Sequence, residues 1–420
     1  MLGSVAMQST RTSSVPPGPL PRLGRYELLV RIGKGGMASV YLARVRGAVG
    51  LRALHAIKVL HPSFSREKEL VDMLLDEARI ASRLDHPNVV RVTDAGTDTE
   101  RAYVVMEYVD GPALDRLLRR SPGVRPPERI VPIAIDALRG LHAAHELSDE
   151  GGRPLELVHR DVTPGNVIVG TDGIGRITDF GIAKARARLT KTREGVVKGK
   201  AGYIAPEVLL GKPIDRRADV FSMGVLLWNA LTGETLFETE DLASTLRALL
   251  EREVPPPSLI GLAPPPIFDA PIMMALARDP DDRHESALEM AEALEDAMLV
   301  YGRGADPDAI GAWVREVFAE QLETRRRAAT ASVPAAGWDP DVIEPPSTSV
   351  MVRKDSTGKV VSVLPATSAD HQPAAGPVEP ELEEQPRRRR GSLWLVLALL
   401  LLAAVGAALA HLRPEWLGAG

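Results

Sequence analysis

The stretch Leu157-Val-His-Arg-Asp-Val-Thr-Pro-Gly-Asn-Val-Ile-Val169, followed after a short polar turn by Arg176-Ile-Thr-Asp-Phe-Gly181, decides the fold of this chain. Two apolar, strand-like runs each carry an acid at or near one end, so a fold that pairs them brings Asp161, Asn166 and Asp179 together. Carboxylate and amide oxygens suit a hard cation such as Mg²⁺, and a carboxylate also suits a hydroxyl that must lose its proton. For each residue taken singly, a plain turn is the alternative, because Asp and Asn favour turns.

The complete ordered set is more specific than any single residue in it. His159-Arg160-Asp161, then Asn166, then Asp179-Phe180-Gly181 resemble the catalytic and magnesium loops of the bacterial eukaryotic-like (Hanks-type) serine/threonine protein kinases. The resemblance covers residues 25–300 and implies an α+β, bilobal protein-kinase fold with a small β-rich N-lobe and a larger helical C-lobe. Other motifs of the family occur in the expected order, namely Gly33-Lys34-Gly35-Gly36, Ala56-Ile57-Lys58 and Ala205-Pro206-Glu207.

The resemblance also implies roles for individual residues in an ATP-dependent enzyme that phosphorylates proteins. Asp161 would be the base that accepts the proton of the substrate hydroxyl, and Lys58, paired with Glu77, would hold the α and β phosphates of ATP. Asn166 and Asp179 would bind Mg²⁺ (or Mn²⁺). The nucleotide contacts implied in addition to Lys58 are Ile32, Gly33, Lys34, Gly35, Gly36, Met37, Ala38, Ser39, Val40, Ala56, Met106, Glu107, Val109 and Ile168.

Several of these positions also have an ordinary structural explanation. A glycine-rich hairpin tip between residues 26 and 42 is often only a turn, and Met106 at the end of an apolar strand also suits the core. Glu77 lies in a helical pattern of apolar residues and is either the partner of Lys58 or a solvated charge. Asp76 beside it is the competing partner, because a lysine in an apolar strand needs one.

Two acids are expected to support the site rather than react. Glu207 is predicted to be structural and paired with Arg283. Asp219 begins a strongly apolar helix, and its carboxylate is predicted to accept backbone N–H groups of the catalytic loop. Both expectations follow from the resemblance.

The segment of residues 182–199 is rich in Lys and Arg and carries the hydroxyls of Thr190 and Thr192. A solvated basic loop is the ordinary explanation of such a charge run. The alternative is an activation segment, in which phosphate on either threonine pairs with Arg160. Self-association for trans-autophosphorylation is a further expectation.

The chain departs from the kinase pattern at three positions. Ala38 stands where the third glycine of the loop is usual. Thr163, two residues after Asp161, replaces a usual lysine, and Lys200 stands where a threonine is usual. We expect the last two exchanges to be reciprocal, with Lys200 returning a cation toward the γ-phosphate and thus acting as a catalytic residue. A pseudokinase scaffold, which binds partners without turnover, is the alternative that these departures raise.

Composition limits the class of protein and divides the chain. The net charge is −5 and there is no cysteine, so attraction to nucleic acid, disulfides and cysteine-bound zinc are not expected. Residues 1–24 form a Ser-, Thr- and Pro-rich leader, and residues 330–390 form a Pro-rich tether expected to be disordered. Residues 301–329 hold an accessory helix, whose apolar face packs on the kinase domain or on a partner; the face comprises Ile310, Trp313, Val314, Val317 and Phe318.

The carboxy-terminal part of the chain predicts a membrane anchor. Residues 393–410 contain no charge and would form a helix ~27 Å long, close to the thickness of the hydrocarbon layer. Four arginines at residues 387–390 precede this run, and Arg413 follows it, which places the kinase in the cytoplasm. The prediction is a single transmembrane helix over 391–412 in the cell (inner) membrane, with a short external tail at 413–420. A membrane adaptor that acts through its Pro-rich tether is the other alternative to an active kinase.

Overall fold

A computed structural model describes residues 21–46, 54–98, 101–121, 125–180, 198–302, 304, 306–330, 350–354 and 360–365. By its contacts the chain divides into two units, Met1–Ser347 and Thr348–Gly420. The residues predicted to bind nucleotide and to react all belong to the first unit, which consists of a sheet followed by a group of helices.

The sheet of the first unit has six strands and antiparallel neighbours throughout. Alternation of apolar residues along the strands buries residues such as Leu28, Leu42 and Ile57 almost completely. The strands, in chain order, are β1 (Arg22–Leu23), β2 (Tyr26–Lys34), β3 (Ala38–Val45), β4 (Leu54–Leu60), β5 (Val92–Asp98) and β6 (Arg101–Glu107). Their order in the sheet is β1-β2-β3-β4-β6-β5.

Register across this sheet determines where the predicted lysine stands. Val40 of β3 lies opposite Lys58 of β4, and Lys58 in turn lies opposite Val104 of β6. The predicted hairpin with a glycine-rich tip is confirmed, because β2 pairs with β3 around residues 35–37. Lys58 therefore lies two strands away from β2, in the middle of the sheet.

Helix α2 (Lys68–Ala81), which follows a short helical turn α1 (Pro62–Ser65), packs against β5 and β6. Its buried residues Leu74, Ala78 and Ala81 recur at helical spacing and form the face turned toward the sheet. Glu77 lines the same pocket as Leu74 and Lys58, which confirms its predicted orientation toward the sheet.

The second lobe is mainly helical and centred on a helix that is buried on almost every side. This is α7, whose apolar sequence over Val220–Leu231 leaves few side chains for solvent. Helix α4 packs against both α7 and α10. The helices of this lobe are α3 (Leu114–Arg120), α4 (Pro127–His145), α5 (Lys198–Ala201), α6 (Pro206–Leu209), α7 (Arg217–Thr232), α8 (Leu242–Glu251), α9 (Asp269–Ala275) and α10 (Ala287–Tyr301).

A two-stranded antiparallel ribbon, β7 (Val167–Val169) and β8 (Gly175–Ile177), pairs the two apolar runs of the deciding stretch. Its strands are held in register by Val167 opposite Ile177. Just beyond the ribbon, the Thr178 N–H donates to the Asn166 carbonyl at 2.9 Å. The pairing predicted from the sequence is confirmed, and it brings Asn166 close to the residue that precedes Asp179.

The segment after α10 differs from the single accessory helix that the sequence predicted within 301–329. It forms two helices, α11 (Pro307–Val317) and α12 (Ala319–Thr330), with Phe318 between them in a non-helical conformation. Apolar spacing continues through Phe318 to Leu322, so the sequence pattern conceals the break. Both helices pack on the kinase domain rather than standing away from it.

The second unit contains an antiparallel pair of strands, β9 (Val350–Lys354) and β10 (Val360–Pro365). This differs from the disordered tether predicted for residues 330–390. Both strands are rich in valine, a good strand former, and this local signal was outweighed by the Pro-rich composition around it. Among the helices that the structure describes, none has the length and apolar character needed to cross a membrane. The anchor predicted over 391–412 lies outside the described residues.

Candidate active site

Lys58 and Asp179 form an ion pair in the cleft between the two lobes. Lys58 Nζ lies 2.8 Å from Asp179 Oδ1, and the lysine side chain is 16% exposed. Burial by itself would lower the pKa of the Lys58 ammonium, but the negative charges of Asp179 and Glu77 outweigh it and raise that pKa. Lys58 therefore stays charged at neutral pH and is available to hold an anion.

The pocket behind this ion pair is lined by α2, the sheet and the start of the magnesium loop. Glu77 and Leu74 of α2 contribute to the lining, as do Val104 and Met106 of β6. Met106 is buried, and its sulfur accepts a weak hydrogen bond from Thr178 Oγ1 at 3.9 Å. The two explanations of Met106 are thus compatible, because it fills the core and also borders the pocket.

Two side chains, those of Asn166 and Lys200, converge on Asp161. Asn166 Nδ2 donates to the Asp161 carbonyl at 2.7 Å and to its Oδ2 at 2.9 Å. Lys200 Nζ donates to the same Oδ2 at 2.9 Å. The Asp161 side chain is 1% exposed, whereas that of Lys200 is 36% exposed. A buried carboxylate held by two donors has a fixed position, which is what a general base requires.

The Asp219 carboxylate accepts hydrogen bonds from the backbone of the catalytic loop, as predicted. Its Oδ2 accepts from the His159 N–H at 2.7 Å, and its Oδ1 accepts from the Arg160 N–H at 2.8 Å. His145 Nε2 donates to Oδ2 at 2.8 Å, a contact that the sequence did not indicate. Burial alone would raise the pKa of Asp219, but these hydrogen bonds and the neighbouring histidines lower it below its ordinary value.

The same loop is linked to the magnesium loop through His159. Its Nε2 donates to the Thr178 carbonyl at 3.0 Å, and its ring packs on Phe180 with centroids 4.7 Å apart. Phe180 is buried and lines the pocket beside Glu77. Asp161 and Asp179 are therefore held by one connected set of contacts.

Two residues of these loops have a backbone conformation that is uncommon for side chains other than glycine. Arg160 has φ 62° and Asp179 has φ 59°. Aspartate tolerates this left-handed region better than most residues, whereas arginine gains nothing from it. Because strain of this kind persists only where surrounding contacts impose it, the contacts around both loops must fix their backbones.

The glycine-rich turn covers the front of the cleft. The Gly35 N–H donates to the Ala38 carbonyl at 2.8 Å and closes the turn. Ser39 is fully buried, and its hydroxyl hydrogen-bonds to His61 Nε2 at 3.1 Å. Ala38 begins β3 and does not have positive φ, so its methyl group causes no backbone strain. The replacement of the third glycine is thus compatible with the turn.

The remaining predicted nucleotide contacts are distributed along the strands that border the cleft. Ile32, Gly33 and Lys34 end β2, while Ser39 and Val40 lie near the start of β3. Ala56 lies opposite Met106 across β4 and β6. Gly36 and Met37 belong to the turn, Glu107 ends β6, Val109 follows it, and Ile168 is in the middle of β7.

The donors at Asn166 and Asp179 fit a divalent cation bound together with phosphate. Asn166 uses its amide nitrogen for both bonds to Asp161, which leaves its amide oxygen outside these bonds. Asp179, which follows the residue bonded to the Asn166 carbonyl, contributes a carboxylate beside Lys58. Oxygen donors of this kind are the ligands that Mg²⁺ and Mn²⁺ prefer. These two residues would hold the cation.

Not every predicted residue of the site can be placed. Thr163 is buried, and within the described part of the chain its hydroxyl has no hydrogen-bond partner. The sequence predicted that Thr163 and Lys200 lie together near Asp161. Of these two side chains, Lys200 is the one that the structure shows bonded to the Asp161 carboxylate. Gly181, Thr190 and Thr192 lie outside the described residues, so the expected pairing of phosphothreonine with Arg160 stays a prediction.

Glu207 and Arg283 form a buried ion pair with two parallel hydrogen bonds, as the sequence predicted. The Arg283 nitrogens donate to both Glu207 oxygens at 2.8 Å, and the side chains are 0% and 3% exposed. The guanidinium also lies over the Phe221 ring, 4.9 Å from its centroid. The Glu207 carboxylate thus pairs with Arg283 and fixes the end of the segment that carries Lys200.

Sequence reasoning missed the polar contacts behind the hinge between the lobes. Tyr108 donates to Asp110 Oδ1 at 2.8 Å, and Arg325 of α12 donates to the Gly111 carbonyl at 3.0 Å. Burial raises the pKa of Tyr108 to about 12. The one signal in the sequence was that Arg325 lies three residues after Leu322 and three before Ala328, on the buried face of its helix.

Comparison with known proteins gives the family. The family described as "Protein kinase domain" matches residues 26–283. Tyrosine-protein kinase MasK of Myxococcus xanthus is 40% identical over 306 residues, which are 72% of this chain and 47% of MasK. Serine/threonine-protein kinase PknL of Mycobacterium tuberculosis is 35% identical over 272 residues, which are 64% of this chain and 65% of PknL.

The structural comparison agrees with the sequence comparison. The crystal structure of the PknI kinase domain of Mycobacterium tuberculosis is 26% identical to this chain, with a TM-score of 0.50, and covers 67% of this chain and 98% of that domain. The chain spans about half the length of the curated relatives it matches. Because the family match extends over more than half of its residues, this chain belongs to the protein kinase family.

Proposed function

We propose that this chain is an active protein kinase that transfers the γ-phosphoryl group of ATP to serine or threonine hydroxyls of proteins. The observation that carries the proposal is the pairing of Lys58 with Asp179, 2.8 Å apart across the cleft, next to the fixed carboxylate of Asp161. A pseudokinase would not require these three side chains to be held at fixed positions relative to one another. In this chain all three are held by further contacts.

In the proposed reaction, a substrate hydroxyl oxygen forms a bond to the γ-phosphorus while the bond from that phosphorus to the β–γ bridging oxygen breaks. Asp161 accepts the hydroxyl proton, and ADP leaves. Asn166 holds Asp161 in place through two hydrogen bonds. Lys58 neutralises phosphate charge and aligns the nucleotide. A bound Mg²⁺ (or Mn²⁺) at Asn166 and Asp179 would supply further neutralisation of the phosphate charge.

We propose that Lys200 takes the role of the lysine that is usual at position 163 in the family. Its ammonium lies 2.9 Å from Asp161 Oδ2 and its side chain is 36% exposed, so it can meet a phosphoryl group that approaches Asp161. A preorganised cation beside the reacting atoms stabilises charge that develops on the transferred oxygens. Lys200 would thus be a catalytic residue supplied by the segment that precedes Ala205-Pro206-Glu207.

Preference for serine and threonine over tyrosine rests on the relatives. PknL and several others are named serine/threonine kinases, whereas MasK, the relative at 40% identity, is named a tyrosine kinase. We propose serine/threonine preference because most of these relatives carry that name. Matched peptides that contain Ser, Thr or Tyr at one position would decide between the two.

Two further features complete the proposal. Residues 391–412 would anchor the chain in the cell membrane, since the run 393–410 is apolar and four arginines precede it. Autophosphorylation in trans at Thr190 or Thr192 would follow from self-association. Removal of residues 391–412 is expected to move the protein from the membrane fraction to the soluble fraction, and mass spectrometry of the purified chain would locate the phosphate.

The central test compares the purified full chain with its Asp161→Asn variant, using labelled ATP and a protein substrate. The wild-type chain is expected to transfer label and the variant to lose nearly all transfer while it still binds ADP. Asp172→Asn is the matched control, because Asp172 is an exposed acid at the nearby turn and pairs with Arg176. Equal transfer by wild type and Asp161→Asn would refute the assignment, and no transfer by wild type would favour the pseudokinase.

A further inference from the structure

The helices α11 and α12 lie beyond residue 283, where the family match ends, yet they are packed onto both lobes. α11 is attached to the helical lobe. Its Trp313 Nε1 donates to Ser121 Oγ at 3.1 Å, and the Arg120 guanidinium lies 4.6 Å from the centroid of the Phe318 ring. At its start, the Pro307 carbonyl approaches Gly173 so closely that a side chain at Gly173 would collide with it. This end of the segment is therefore firmly seated.

α12 continues from there to the hinge. The Arg325 side chain is buried, with the residue only 9% exposed, and its Nη1 donates to the Gly111 carbonyl at 3.0 Å. Its charge lies beside the pair formed by Tyr108 and Asp110, and it opposes the rise in the pKa of Tyr108 that burial causes. Arg326 adds a looser contact to Asp110 at 3.7 Å. Burying an arginine costs free energy unless its N–H groups donate hydrogen bonds. The bond to the Gly111 carbonyl therefore stabilises the buried position of Arg325.

The last turn of α12 reaches the sheet of the other lobe. Ala328 is buried against a small apolar cluster of β2 and β3 that comprises Leu29, Val30 and Leu42. Arg44 of β3 donates to the Ala329 carbonyl at 3.3 Å. Residues 307–330 thus run from the helical lobe, past the back of the hinge, to the sheet.

We infer that residues 307–330 are a strap that fixes the hinge and the spacing of the lobes for nucleotide binding, with Arg325 as its positioning residue. The hinge segment is short, and Glu107 and Val109 within it are the predicted adenine contacts. A rotation of one lobe against the other would have to break either the Arg325 bond to Gly111 or the Ala328 contact with Leu42. The strap therefore holds the hinge preorganised, and preorganisation lowers the cost of binding.

Arg325 acts at a distance from the transferred phosphoryl group, so its removal should change nucleotide affinity more than turnover. Loss of one hydrogen bond from a charged donor corresponds to about a tenfold change in affinity. We expect Arg325→Ala to raise the ADP Kd and the ATP KM about tenfold, with kcat and the peptide KM within about twofold of wild type. A purely structural residue would lower the melting temperature without this separation of KM from kcat.

The inference is tested on the full chain with Arg325→Ala, three further variants and two measurements. Arg325→Lys keeps the charge but not the fork of donors and should give an intermediate ADP Kd. Arg327→Ala is the matched control, because Arg327 lies on the same helix, is 79% exposed and pairs only locally with Glu323. ADP binding is measured by calorimetry, which needs no catalysis, and steady-state kinetics gives KM and kcat.

Ala328→Gln provides a second route should Arg325→Ala fail to fold. It wedges the strap away from the sheet while the Arg325 side chain itself is unchanged, and it should weaken ADP binding in the same direction. Wild-type ADP affinity in both Arg325→Lys and Ala328→Gln would overturn the inference, as would an Arg325→Ala variant that binds ADP like Arg327→Ala. The inference rests on the proposed kinase function, because it uses the predicted adenine contacts. The strap and the proposed function can nevertheless fail separately. Weakened ADP binding in a chain that transfers no phosphate supports the strap and refutes the proposed function.

Discussion

Lys200 Nζ lies 2.9 Å from Asp161 Oδ2, although the two residues belong to different segments of the site. The lysine precedes Ala205-Pro206-Glu207, and the aspartate is in the catalytic loop. The position two residues after Asp161 carries Thr163, whose hydroxyl is buried and without a partner in the described part of the chain. The cation beside the base is thus supplied from a second segment, which makes its presence depend on how that segment is folded.

The first prediction concerns Lys200. Lys200→Ala should lower kcat for phosphate transfer about 10- to 100-fold, because a positioned cation near the developing charge is lost, while ADP binding stays close to wild type. Lys212→Ala is the control, since Lys212 is an exposed lysine just beyond the same segment. Steady-state kinetics with a peptide substrate measures both.

The reciprocal exchange gives a sharper form of this test. Thr163→Lys should restore part of the activity of Lys200→Ala, since a lysine at position 163 returns the charge from the other segment. In the wild-type background the same change should bring little or no gain, because a cation is already present. Activity in Lys200→Ala equal to wild type would show that the contact with Asp161 has no catalytic role.

The second prediction concerns the buried pair of Glu207 and Arg283. Removing one partner leaves an uncompensated buried charge, so Glu207→Ala should lower the free energy of unfolding by about 3 to 5 kcal/mol. The exposed helix pair Glu323 and Arg327 is the control, and Arg327→Ala should cost less than about 1 kcal/mol. Urea unfolding at neutral pH measures both pairs, and equal losses would contradict the distinction between them.

Much of the site could be predicted because its residues lie close together in sequence within recognisable motifs. Asp161, Asn166 and Asp179 occupy 19 consecutive positions, counted inclusively from 161 to 179, and the β7–β8 ribbon needs only local pairing to bring them together. Asp219 and Glu207 were also predictable as supports, since their partners belong to other motifs of the family. Their distances and burial required the fold.

What sequence reasoning missed depends on contacts between distant segments. Arg325 lies 214 residues from Gly111, and as the first of three consecutive arginines it resembles a solvated charge run. His145 lies at the end of a helix, and the apolar pattern of that helix does not indicate that His145 bonds to Asp219. The strands β9 and β10 were missed because composition was averaged over a long Pro-rich stretch.

The third prediction concerns the divalent cation. Asp179→Asn should lower kcat/KM about 10²- to 10³-fold and raise the Mg²⁺ concentration needed for half-maximal activity, because the variant loses a charged ligand and the partner of Lys58. Addition of EDTA to the wild-type chain should abolish transfer, and added Mg²⁺ or Mn²⁺ should restore it. A Mg²⁺ titration at fixed ATP measures the shift, and Asp172→Asn should leave the curve unchanged.

The fourth prediction concerns acid stability through Asp219. Its pKa in the folded chain is lowered from the ordinary value of 3.8 by His145 and the loop N–H groups, against the effect of burial. A carboxyl group with a lowered folded pKa stabilises the fold fully above its unfolded pKa, and this contribution is lost as the pH falls through the folded value. Asp219→Asn should therefore be less stable than wild type by about 3 kcal/mol at pH 6, and the gap should shrink below pH 3.8. Urea unfolding at pH 6 and at pH about 3.5 measures the gap, with Asp85→Asn as the control, because the Asp85 side chain is 76% exposed; a gap that widens in acid would contradict the sign.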